Sequence, residues 1–157
     1  MLQRLIKQSP FAVVVTAALE ETRRRGDRRI GTQHLLLGLL HAPDPLTERA
    51  LGVDLDTARA ALDALDDEAL AAIGLVVERR PPPVPHPPVT VSALTSNARA
   101  VVKQAVNATT ARTRHTAPEH LLRALLDREY PDPVAQLLTR LGIDSTAARR
   151  VIDRATS

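Results

Sequence analysis

His34 and His120 are the residues from which any chemistry in this sequence would have to start. They stand in matching settings, GTQHLLLGLL at residues 31–40 and APEHLLRALL at residues 117–126, 86 positions apart. An imidazole beside a carboxylate or amide can act in general acid–base catalysis, and in larger sets it can ligate a metal. Neither set is completed here. Each histidine follows directly on a helix start, where an imidazole satisfies loose backbone groups, which is the structural reading of both. Elsewhere the sequence holds no Ser, His and carboxylate arrangement and no metal-ligand spacing. It also has no G-x-x-x-x-G-K-[ST] loop for nucleotide phosphates, and its only lysines are Lys7 and Lys103. Cysteine is absent, which excludes disulfides and thiol nucleophiles. The expectation is a protein that is not an enzyme and has no cofactor and no metal site.

The elements around the two histidines repeat with them. Without a gap from Ser9 to Leu40, the chain matches itself at an offset of 86: Ser9 with Thr95, Ala12 with Ala98, Val15 with Val101, and leucines 35, 36, 39 and 40 with 121, 122, 125 and 126. The match resumes with the pair DP at 44 and 132, and with LGVDLDTAR from Leu51 against LGIDSTAAR from Leu141. This is an internal duplication. The segment ERRPPPVPHPP, residues 78–88, holds six of the twelve prolines and cannot be helical, so it separates the copies.

Each copy reads as four helices. Ser9 and Thr95 suit N-caps and Pro10 suits a first helical position, opening a helix that ends near Gly26 or Arg114. The repeated leucines give the second helix an apolar stripe, and because Leu37 corresponds to Arg123 its face is expected to meet solvent. The DP pair opens a third helix, which Gly52 or Gly142 stops. Asp54 or Asp144 caps a fourth, bearing Ala58, Leu62 and Leu65, or Ala148, Val151 and Ile152. The expected fold is all-α: one domain over 1–157, with repeat 1 at 9–78, a Pro-rich linker at 79–91, repeat 2 at 92–157, and eight helices in two pseudo-twofold-related halves.

Composition agrees with that architecture. Hydrophobic residues make up 44% of the chain and aromatics 1%, so the core must be Ala, Leu, Val and Ile. Arg4 and Lys7 before the apolar run Phe11–Leu19 resemble a signal peptide, but Glu20 and Glu21 follow at once and the run has a copy inside the chain. No stretch approaches the ~20 apolar residues of a membrane span. A soluble, cytoplasmic protein with no membrane partner is expected. The net charge is +3, and the one basic concentration is RRRGDRR at 23–29. Nucleic-acid binding is the alternative function this cluster suggests. Without stacking aromatics or a reading helix, it reads instead as a helix end and a solvated turn.

The double motif, a capping hydroxyl followed by A-x-x-V, then GTQHLLLGLL or its copy, then LGxDxxxAR, resembles the Clp repeat domain, the N-terminal domain of Clp-family unfoldases and especially the ClpC type. The resemblance runs from Ser9 to Ala155. It implies a non-catalytic module that binds protein or peptide substrates and adaptors of the Clp system, here as a stand-alone domain acting as adaptor, competitor or decoy in Clp proteolysis. It also implies a phosphoarginine pocket in each repeat, between the capping hydroxyl and the acidic residue before the histidine. Carried over, the second pocket has Thr95 and Glu119. The first has Ser9 and Gln33, the latter without charge, while Pro118 stands where the first repeat has Thr32. In relatives an aromatic before the hydroxyl helps to bind cyclic-peptide antibiotics. Gln8 and Leu94 hold those places here, although sequestration of a Clp-directed antibiotic stays open as an alternative.

Phe11, Val13 and Val14 correspond to Asn97, Arg99 and Ala100 in the second copy. They make the first helix apolar on more sides than its own core contacts require, and this patch is a candidate protein-contact surface. Its alternative use is contact with Leu2, Leu5 and Ile6.

Overall fold

The computed structural model describes residues 11–76, 89–110 and 117–156. Ser9, Pro10 and most of the Pro-rich linker lie outside the described residues. Eight helices occupy the rest: α1 Ala12–Arg25, α2 Thr32–His41, α3 Pro45–Leu51 and α4 Leu55–Ala72, then α5 Ser96–Ala108, α6 Ala117–Leu126, α7 Pro133–Arg140 and α8 Ser145–Thr156.

Local signals fix most of the ends. The Asp44 carboxylate accepts from Thr47 N at 2.7 Å and Asp54 from Thr57 N at 2.7 Å; Asp132 accepts from Val134 N at 3.1 Å and Asp144 from Thr146 N at 2.9 Å. Each aspartate thereby satisfies an amide with no intrahelical partner. Pro45 and Pro133 occupy first-turn positions where no amide donor is needed. Gly26 at φ 74° and Gly52 at φ 65° close α1 and α3 in the left-handed region that favours glycine. One end differs from expectation. α5 stops at Ala108, where Thr109 turns extended and its hydroxyl donates back to Ala105 O at 2.8 Å; two successive β-branched threonines weaken the next turn.

The halves pack reciprocally. α1 lies on α2 and α5 on α6, while α3 packs on α8 and α4 on α7, so the third helix of each half meets the fourth of the other. This is the pattern a twofold relation between the halves would give. α2 touches α1, α3, α4, α5, α6 and α7 and is buried on nearly every side. Leu37 is therefore fully buried in the core and not on a solvent face as its match with Arg123 suggested, because α2 has neighbours all round. Gly38 permits this: a Cβ there would come within 2.5 Å of Val14 O on α1. At the matching position the second repeat carries Ala124, also buried, so only the α1–α2 crossing requires glycine.

Two polar ties cross the apolar interior. Thr32, opening α2, donates its hydroxyl to Asp132, the cap of α7, and both side chains are buried. Arg128 Nε completes that carboxylate at 2.9 Å. Glu21 on α1 is buried and accepts from Arg59 of α4 and from His41 Nε2 at 2.8 Å. Burial alone would raise the Glu21 carboxyl above its ordinary value, but Arg59 and His41 outweigh it and hold the group below.

Candidate functional site

A parallel backbone bridge joins Ile30 to Leu94: Ile30 N donates to Ala93 O at 2.8 Å and Thr95 N to Ile30 O at 2.9 Å. Ile30 precedes Gly31, the cap of α2, and Leu94 precedes Thr95, the cap of α5. Two helix N-termini from opposite repeats therefore begin at one place. The positive dipole ends of two helices at one place make such a junction attractive to an anion. Thr95 Oγ1 caps α5 by accepting from Ala98 N at 3.2 Å. The Gln33 side chain lies over Gly31, and among the described residues its Oε1 is buried with no hydrogen-bond partner.

The bridge brings Thr95 and Gln33, each singled out by sequence, to neighbouring helix starts. Thr95 is tied to the α2 start that carries Gln33, and no hydrogen bond joins Thr95 to Glu119 among the described residues. α5 and α6 touch where Gln104 Nε2 donates to Asp127 Oδ2 at 2.9 Å. Ser9 lies outside the described residues.

His34 is a structural residue of this junction. Its Nδ1 accepts from Gly31 N at 2.8 Å, so Nε2 carries the proton that it shares with Asp27 Oδ2 at 2.7 Å. Burial would raise the Asp27 carboxyl, and His34 and Arg25 together lower it. His120 lacks this setting, because Thr113 matches Asp27, and among the described residues its Nε2 is buried without a partner.

Glu119, in the first turn of α6, is 8% exposed and accepts from Arg123 Nε at 3.2 Å, while Arg123 Nη1 donates to Asp153 Oδ1 on α8 at 2.8 Å. Burial works against the Arg123 charge, and Asp153 and Glu119 together raise its pKa above the ordinary guanidinium value. Sequence reasoning missed this pair. The signal was present as the i, i+4 spacing of Glu119 and Arg123.

The basic cluster is largely committed. Arg25 is buried against Asp27, Asp63 and Asp66; Arg23 donates to Val89 O at 2.7 Å and Arg29 to Leu94 O at 3.0 Å. Three of its five arginines thus hold the fold together; Arg23, Arg24 and Arg25 do fall in the last turn of α1, as the helix-end reading expects, but Arg25 is withdrawn from the solvent that reading gave it.

The Phe11, Val13 and Val14 patch requires correction. Phe11 is 1% exposed and Val14 is also in the core; only Val13, 72% exposed, reaches solvent. The one other aromatic, Tyr130, is 80% exposed, so Phe11 is the only aromatic filler of the core among the described residues. Val13 borders an open groove of about 440 Å³, formed by Thr16, Ala17 and Glu20 of α1 with His41 and Ala42 at the end of α2. Leu94, one of the two antibiotic-related positions, is fully buried and takes no part in any surface.

Among the described residues no helix is long and apolar enough to cross a membrane. No protein-family profile matches the sequence. The eight helices of the described residues, in two reciprocally packed halves with a backbone bridge between the starts of α2 and α5, have the fold of a Clp N-terminal domain. In particular, the chain is similar to the N-terminal domain of the caseinolytic protease-associated chaperone ClpD from Arabidopsis thaliana. The TM-score is 0.62 at 21% identity, over 94% of this chain and 93% of that one, and the likeness is one of fold.

Proposed function

We propose that this protein is a non-catalytic binding module of Clp proteolysis, which recognises protein or peptide segments as an adaptor, competitor or decoy. The observation that carries this reading is the junction at Ile30 and Leu94, within a Clp N-domain fold spanning nearly the whole chain. Two helix starts supply amides for a phosphate, and Gln33 Oε1, without a partner among the described residues, supplies an acceptor for a guanidinium. That combination suits phosphorylated arginine. Glu119 is the second acceptor site for a guanidinium. The missing phosphate loop supports a role without ATP turnover.

Calorimetry with a phosphoarginine-bearing peptide, against the same peptide carrying arginine or phosphoserine, tests the reading. Gln33→Glu is expected to tighten binding by about 10-fold, since a charge-assisted bond replaces a neutral one. Equal binding of all three peptides, or of none, would sink it.

A second reading concerns the groove beside Val13. Its apolar walls and the Glu20 rim support contact with an apolar, basic segment of a partner protein. The cyclic-peptide antibiotic alternative loses support, because Leu94 is buried.

A further inference from the structure

The two repeats handle the guanidinium-acceptor position in different ways. In repeat 1 the position is Gln33, and the residue one turn later is Leu37, fully buried. In repeat 2 it is Glu119, and the residue one turn later is Arg123, whose side chain is 31% exposed. Where the second repeat places a buried carboxylate, it also places a guanidinium against it. Where the first repeat omits the arginine, its acceptor is a neutral amide. A carboxylate as buried as Glu119 needs a cationic partner.

We propose that Arg123 is an internal occupant of the Glu119 site, a competitor that any guanidinium-bearing ligand must displace. This rests on the reading of Glu119 as a guanidinium acceptor. Two features make the occupant displaceable. Arg123 meets Glu119 through Nε alone, at 3.2 Å, and not through the two-pronged fork that guanidinium and carboxylate can form. Its Nη1 is held separately by Asp153 on α8, whose side chain is 62% exposed. When a ligand's fork takes Glu119, Arg123 keeps a carboxylate partner on α8 and its charge moves toward solvent. The ligand class is a side chain or small molecule with a free guanidinium edge. Arg123 sets the threshold it must exceed.

The test uses guanidinium ion at low millimolar concentration, with ammonium as the comparison cation, and reads melting temperature. Arg123→Ala removes the one cation that meets Glu119 among the described residues, so its melting temperature should fall and then recover with guanidinium but not with ammonium. Arg123→Ala combined with Glu119→Gln should lose the selective recovery. Arg123→Leu, which installs the residue of the first repeat, should bind free phosphoarginine roughly tenfold tighter than the wild type. Recovery that is absent, equal for both cations, or intact in the double variant would overturn the proposal. Selective recovery without phosphoarginine binding to any variant would leave Arg123 as the occupant and remove phosphoarginine as the ligand.

Discussion

Thr32 and Asp132, 100 positions apart in the chain, share a buried hydrogen bond in which the first turn of α2 is tied to the cap of α7. Asp132 thus serves three donors at once: the Thr32 hydroxyl, Val134 N and Arg128 Nε. The duplicated positions are Pro118 and Asp44. Proline has no hydroxyl, so the tie cannot be made twice, and one side of the pseudo-symmetric core carries a polar lock that the other lacks.

Thr32→Val keeps the shape and removes the donor. It is expected to lower stability by about 1–3 kcal/mol, the usual loss when a buried acceptor goes short of a partner. Urea denaturation of the variant beside the wild type checks this. An unchanged midpoint would mean that the tie contributes nothing net.

Gly38→Ala should destabilise by about 1–3 kcal/mol, because its Cβ would press on a backbone carbonyl that cannot rotate away. Alanine's better helix propensity, up to ~1 kcal/mol, works in the opposite direction and should lose. The control is Ala124→Gly in the other repeat, where propensity and packing act together against glycine. A thermal melt in which Gly38→Ala is more stable than the wild type would refute the close crossing.

Stability should fall in acid through Glu21 and Asp27. Both carboxyls are held below their ordinary values of 4.5 and 3.8 in the fold. A depressed folded-state pKa gives stability that is complete above the unfolded value and is lost as pH drops through the folded one. Melting temperature should therefore be flat near neutrality and decline below about pH 4.5, where the unfolded chain begins to take up protons. Glu21→Gln should be less stable at pH 7 and show a shallower acid decline. A parallel pH profile for the variant and the wild type would rule out the Glu21 contribution.

Phe11→Ala is expected to cost about 3–5 kcal/mol, as befits a buried aromatic. Val13→Asp, two residues on, should stay within about 0.5 kcal/mol of the wild type, because that side chain faces water. Chemical denaturation of the pair decides whether the start of α1 is core or contact surface. Comparable losses in both would contradict the assignment.

The sequence carried the parts of this fold that depend on near neighbours. Asp44, Asp54, Asp132 and Asp144 announce helix starts because a cap acts over three residues, and the 86-residue offset exposes the duplication before any contact is known. What it hid depends on residues far apart. Leu37 looked solvent-facing because its duplicate is Arg123, yet duplication preserves only an approximate environment, and α2 acquires neighbours that the comparison cannot display. Phe11 and Val14 looked surplus to one helix because their duplicates, Asn97 and Ala100, are polar or small, yet the α1–α2 crossing at Gly38 takes Val14 into the core and Phe11 is buried with it. The backbone bridge between Ile30 and Leu94 joins the starts of α2 and α5 across the repeats, a long-range contact that local sequence patterns do not display. The pairing of Glu119 with Arg123, by contrast, is a one-turn relation that helical spacing could have disclosed.

The reciprocal packing of α3 on α8 and α4 on α7 has a consequence for the timing of synthesis. When α4 leaves the ribosome, the helices that will cover it and α3 have not yet been translated. At roughly 5–20 residues per second, the stretch from Ala72 to Pro133 takes about 3–12 s. Over that interval the first half displays the apolar faces meant for α7 and α8 and is open to aggregation or to holding chaperones. Each half is thus the late-arriving lid of the other, and the nascent chain passes through a half-built state before the bundle can close.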